Sequence, residues 1–197
     1  MRNVIALRNG EAQLLAEDGW QLLRDVEQPL PDGLLILPFT DWLEREARQP
    51  TGRDGLWLGP DDEIEALEPW LAQVPLIAID FPSFRDGRGY SQAYLLRSRL
   101  GWHGELRAVG DVLRDQLSHM RQCGFDSFAV REDKCAEDAL KGLAGMSVLY
   151  GRSVIEPRPL FRRRCSGAAR TPGAESSTAR RPSRSPQAGS VPRPSSG

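Results

Sequence analysis

Five short apolar runs, each too brief for a helix and each followed by a helical pattern, set the strongest limit on what this chain can fold into. They are Leu34-Leu35-Ile36-Leu37, Gly55-Leu56-Trp57-Leu58-Gly59, Leu76-Ile77-Ala78-Ile79, Leu106-Ala108-Val109 with Arg107 between them, and Ser127-Phe128-Ala129-Val130. A continuous apolar stretch of four or five residues ended by Pro, Asp or Gly reads as a strand buried on both faces. The segments between them carry helix signals. Thr40 or Asp41 can cap a helix through about Arg48, and Ile64, Leu67 and Leu71 recur at helical spacing across a break at Pro69. A helix is expected from Tyr90 to about Leu100, stopped by Gly101. Another should be capped by Asp111, and a last one should span Glu137 to about Leu143. Strand and helix alternating in this way demand right-handed βαβ crossovers and a parallel sheet. The fold class is α/β, either an open doubly wound sheet or a partial (β/α) barrel. With 197 residues the chain falls short of the about 250 that a complete eight-fold barrel needs.

The flanks differ from this core. Val4–Leu7 and Gln13–Leu15 around Arg8-Asn9-Gly10-Glu11 predict a small N-terminal hairpin, which Trp20–Leu23 could extend. Gln28-Pro29-Leu30-Pro31-Asp32-Gly33 then breaks the chain. Residues 1–32 are therefore expected to be hairpin and connector, 33–161 the α/β domain, and 162–197 a tail. The tail holds eight arginines and one glutamate, a formal +7, and leaves 18 basic and 26 acidic groups, a formal −8, on residues 1–161. From Cys165 onward it is nearly all Ser, Pro, Arg, Ala and Gly, with Val191 its only large aliphatic residue, so it should be disordered. Its composition suits a basic arm for nucleic acid or acidic partners, or a G+C-rich stretch translated out of frame. The acidic body argues against a nucleic-acid surface on the fold itself.

Three cysteines, Cys123, Cys135 and Cys165, form neither a disulfide framework nor a metal-ligand set, which fits a reducing compartment. No segment approaches the length of an apolar membrane span and no export signal opens the chain, so a cytoplasmic location is expected.

Chemistry is expected at the C-terminal ends of the parallel strands, where α/β sheets keep their ligands. Asp80, Arg85, Arg88, Arg107 and Asp111 fall at or just beyond such ends. In the loop Asp80–Gly89, Arg85, Asp86 and Arg88 stand beside glycines and the start of a helix. That combination can hold a phosphate, sulfate or carboxylate through guanidinium groups and backbone N–H donors. The alternative is that Arg85 and Asp86 pair with neighbouring surface charges while the glycines make the turn. The loop is neither Gly-x-Gly-x-x-Gly nor a P-loop, so no nucleotide fingerprint applies. Tyr90 begins the next helix as a possible ligand-contacting phenol or a core residue. Asp111, Arg114 and Asp115 form a second cluster, with Asp111 as helix N-cap. His103 and His119 make no constellation, and Cys123 at a helix end is a poor nucleophile. No residue is assigned a catalytic step, and no motif names a cofactor or metal.

Three stretches carry a resemblance: Phe84-Arg85-Asp86-Gly87-Arg88-Gly89-Tyr90-Ser91, the run from Gly104 to Gln116, and Cys123-Gly124-Phe125-Asp126. Over roughly Gly33–Arg163 the chain resembles a bacterial family, DUF934, whose members are labelled probable oxidoreductases of sulfite reduction and whose genes lie beside that of the sulfite reductase haem subunit. The tail departs from the pattern. The resemblance implies a cytoplasmic role in assimilating sulfate to sulfide. Two functional expectations follow. One is an accessory protein that meets sulfite reductase or its electron donor through the acidic body. The other is an enzyme that binds a small anion, such as a sulfur oxyanion or a phosphorylated cofactor like flavin mononucleotide, at the Arg85–Arg88 loop. A structural α/β module with an empty rim is the third.

Overall fold

The computed structural model describes residues 1–8, 10–26, 29–48, 50, 52–144, 153–159 and 162. The run Ser147-Val148-Leu149-Tyr150, which reads as a last strand or a helix end, and the tail from Arg163 onward lie outside the described residues. Eight strands form one sheet: β1 (Val4–Arg8), β2 (Glu11–Leu14), β3 (Trp20–Leu22), β4 (Leu34–Pro38), β5 (Gly55–Leu58), β6 (Leu76–Phe81), β7 (Glu105–Gly110) and β8 (Ser127–Ala129). Four α-helices accompany them: α1 (Phe39–Arg48), α2 (Arg88–Ser98), α3 (Leu117–Cys123) and α4 (Ala136–Leu140), with 3₁₀ turns at Ile64–Trp70, Arg114–Gln116 and Lys141–Ala144. Pro69 lies inside the first of these turns, which is why the helix pattern there closes as 3₁₀.

The order across the sheet is β2-β1-β8-β7-β6-β5-β4-β3. From β3 to β8 each strand lies parallel beside the one before it. Successive right-handed crossovers that always step the same way put their helices on one face. The doubly wound alternative requires a reversal of strand order, and none occurs. The sheet is a half-barrel of α/β type, with β1 and β2 added antiparallel at the β8 edge.

The N-terminal strands join the same sheet as the parallel core. The hairpin is part of the main sheet, because Ile5 pairs with Phe128 and Ala6 with Ser127. Trp20–Leu22 does not extend the hairpin; it pairs parallel with Leu34–Ile36 at the opposite edge. Only residues 15–19 join the two edge strands. Eight strands laid flat would span about 34 Å, while the six steps from Leu14 to Trp20 reach at most about 21 Å. A flat sheet is therefore impossible, and the short link forces the curl.

Alternation along each strand divides the side chains between two faces. On the convex face Leu56, Leu58, Ile77, Ile79, Phe81, Leu106, Ala108 and Phe128 pack with Trp42, Ala93, Leu96, Leu117 and Met120 in the main core. The concave face holds a smaller cluster of Val4, Ile36, Leu76, Ala78, Val109 and Ala129, with Trp20, Leu22, Trp57 and Met1 against it. Asp80 shares the concave face with Ala78, and Arg107 shares it with Val109.

Candidate functional site

The concave face opens at the C-terminal ends of the parallel strands into a hollow of about 940 Å³, within the size range of small-molecule sites. Its walls come from Trp20–Arg24 at the β3 end, Phe81-Pro82 after β6, Gly110-Asp111 after β7, and Ala129–Asp133 after β8, with Met1 and Arg2 across them. The apolar wall is made by Trp20, Leu22 and Ala129 of the concave cluster. Arg2, Arg24 and Arg131 bring positive charge to it, and Asp111, Glu132 and Asp133 bring negative charge on the Arg131 side.

Asp80 lies behind Arg24, at the end of the central strand. Its side chain is 7% exposed, and its Oδ1 accepts a hydrogen bond of 2.6 Å from Arg24 Nη2, whose own side chain is 50% exposed. The buried indole N–H of Trp57 has no partner at hydrogen-bonding distance and angle, yet it faces the Asp80 carboxylate and favours its charged form. Burial outweighs both cations and dipoles: it raises the Asp80 pKa above the usual carboxylate range, opposed by Arg24 and Trp57 and reinforced by Asp86. Gly110 lets β7 approach this point. Its φ is +96°, and a Cβ there would stand 2.5 Å from the Phe81 carbonyl oxygen and 2.9 Å from Asp80 Oδ1.

Asp111 connects three loops. Its Oδ2 accepts the Phe84 backbone N–H at 2.8 Å and its Oδ1 accepts Arg131 Nη1 at 2.8 Å. It is not a helix N-cap, as its place after β7 suggests. The chain first bends at Asp111, where the Val112 N–H donates to the Gly110 carbonyl at 2.9 Å; the extended Leu113 occupies the N-cap position before Arg114–Gln116, and Gln116 Oε1 accepts the Leu113 N–H. Arg131 also grips Asp133 through Nε and Nη2. Those bonds hold the Asp133 pKa down at about 2 and raise that of Arg131.

The other residues nominated from the sequence do not join this hollow. Arg88 is bound to Asp86 through Nε and Nη2 and to Asp61 through Nη1. Its charge is compensated on the surface, and the same bonds hold Asp86 down at about 2. Arg85 is exposed with no ion pair among the described residues. Arg107 is 1% exposed and stands lower on the concave face, bonded to Asp18 at 2.7 Å, Glu105 at 2.8 Å and Ser127 Oγ at 3.1 Å. Arg85, Arg88 and Arg107, all placed at or beyond strand ends by the sequence, therefore share no hollow. An unpaired guanidinium would be too costly in the interior, and the sheet supplies Arg107 with carboxylates instead. Tyr90 lies on the convex side, edge-on to Phe81 with ring centroids 5.1 Å apart and 4.7 Å from His119. Arg114 pairs with Asp138 at 2.9 Å on the outer surface.

Arg2, Arg24, Trp57 and Arg131 are the residues that sequence reasoning missed. The rule that selected Asp80, position at the end of a parallel strand, also selects Arg131 after Ser127–Val130, whereas Arg24 meets it only once Trp20–Leu22 is seen to pair parallel with β4.

No helix among the described residues is long and apolar enough to cross a membrane. No curated protein and no solved structure matches the chain. Residues 55–161, which carry β5 to β8 and with them Asp80, Asp111 and Arg131, match the family described as a bacterial protein of unknown function (DUF934). That match spans more than half of the chain, and the chain belongs to this family.

Proposed function

We propose that the protein binds a small organic anion in the concave hollow, held by Arg24 with Arg2 near it, and that the Asp80 carboxyl is placed to exchange a proton there. The observation that carries this reading is the half-exposed Arg24 guanidinium, which makes one hydrogen bond among the described residues, to a carboxylate 7% exposed. Its remaining N–H groups are available to a ligand, and the apolar wall favours an anion with an organic body over a bare ion. The Arg85–Arg88 loop is the weaker site because Arg88 is already saturated by Asp86 and Asp61.

The test is thermal stability against a panel of sulfite, sulfate, phosphate, benzenesulfonate and flavin mononucleotide. A rise in Tm that Arg24→Ala removes and Arg88→Ala keeps is expected. The opposite pattern would return the site to the loop, and no rise with any anion would end this reading.

The family resemblance supports a pathway for this binding: assimilatory sulfite reduction in the cytoplasm, with the protein acting beside sulfite reductase or its electron donor. A deletion strain should then fail on sulfate while growing on sulfide or cysteine. Growth on sulfate at the parental rate would refute that assignment.

A further inference from the structure

Asp80 and Arg24 form an asymmetric pair. The acid is buried at the end of β6 and the base stands at the wall of the hollow, on the segment between β3 and β4. Every charged or polar group that faces Asp80 bears on what happens when this pair is disturbed. Arg24 is the only cation among the described residues, at 2.6 Å. The Trp57 indole N–H from β5 adds a dipole, Asp86 from the segment after β6 adds a like charge, and β7 presents only the Gly110 backbone. Without Arg24, Asp80 would keep a single neutral donor against burial and a neighbouring carboxylate. A buried carboxylate in that situation takes up a proton rather than stay charged.

An anion entering the hollow meets Arg24 as a cation whose exposed N–H groups are unused. Two anions then compete for one guanidinium, and the interior one can be neutralised by a proton while a permanently charged ligand cannot. We infer that anion capture by Arg24 is coupled to protonation of Asp80, so that the protein takes up one anion and one proton together. This inference rests on the hollow being the anion site, and it adds a direction: binding strengthens as pH falls, and release of the ligand returns the proton. The carboxyl left in place is a neutral acid beside a bound anion, able to donate its proton to it.

The experiment measures proton uptake on binding sulfate and benzenesulfonate, both permanently charged over the range used. Titration calorimetry in imidazole and in Tris, whose ionisation heats differ, counts the protons. The wild-type protein should take up close to one proton per anion, and its affinity should fall about tenfold for each pH unit above the Asp80 pKa. Asp80→Asn should take up none, bind with an affinity independent of pH, and bind more tightly than wild type at neutral pH. Binding by the wild type with no proton uptake would overturn the coupling and leave the anion site standing, as would uptake that persists in Asp80→Asn. No binding of either probe at any pH would overturn both. The proton count on the wild type alone decides the matter if the variant fails to fold.

Discussion

Replacing Gly110 with alanine tests how the floor of the hollow is built. At φ +96° any L-residue is strained, at a cost of about 1–2 kcal/mol. The new methyl would stand 2.5 Å from the Phe81 carbonyl oxygen and 3.0 Å from its carbon. Both atoms belong to the backbone of the central strand, and that oxygen already accepts the Asp111 N–H at 2.7 Å. Relief requires moving β7 away from β6, at a further cost of about 1–3 kcal/mol for overpacking. The expected loss is therefore about 2–5 kcal/mol, a large part of the 5–15 kcal/mol typical of a domain. Gly101→Ala supplies the comparison. Its φ is +63° with nothing within 4 Å of the added Cβ, so it should lose only the conformational part, about 1–2 kcal/mol. Urea unfolding of the two variants, at unchanged m, separates the terms. Equal losses would show that the close approach of β7 to β6 carries no energy, and the reasoning about this floor would fail.

Other outcomes follow from the same geometry. Burial raises the Asp80 pKa, so its stabilising contribution is present below the ordinary carboxylate pKa and lost as pH rises through the raised value. Asp80→Asn should accordingly melt above wild type at neutral pH, with the difference closing on acidification; a constant difference across pH would contradict this. Arg107→Met leaves Asp18 with the N-terminal ammonium at 3.2 Å and Glu105 with Ser127 Oγ at 2.6 Å, and should cost about 1.5–3 kcal/mol in urea unfolding while anion binding in the hollow survives. A loss under about 1 kcal/mol would mean that the buried pairs carry little. Burial pushes the Cys123 thiol up to about 11, whereas Cys135 is exposed, so peptide mapping after brief alkylation at neutral pH should find Cys135 modified well before Cys123.

The parallel core was legible in the sequence because each of β4 to β8 is buried on both faces, which leaves an unbroken apolar run between turn signals. Gly124 was legible too: it sits at φ +103° just past α3, where a left-handed residue ends the helix. β3 was harder, since three residues carry almost no periodic signal and its partner, β4, is reached only after the intervening connector. The curl of the sheet follows from the shortness of residues 15–19, but only once the strand order is known. Asp111 misled because an Asp after a Gly before a helical pattern is what an N-cap looks like, while a bend at Asp111 and the extended Leu113 come first. Arg24 and Arg131 look like ordinary surface charges in isolation. What makes them site residues is the carboxylate each one meets, Asp80 and Asp111, at sequence separations of 56 and 20. Arg88, by contrast, had its partner Asp86 two residues away, and the local reading of a surface pair describes it.

The most direct test of the account is diffraction from crystals soaked in selenate, read at the selenium absorption edge. The account predicts an anomalous peak inside the hollow, against the Arg24 guanidinium, that disappears in crystals of Arg24→Ala. A peak at Arg85 or Arg88 with an empty hollow would contradict it.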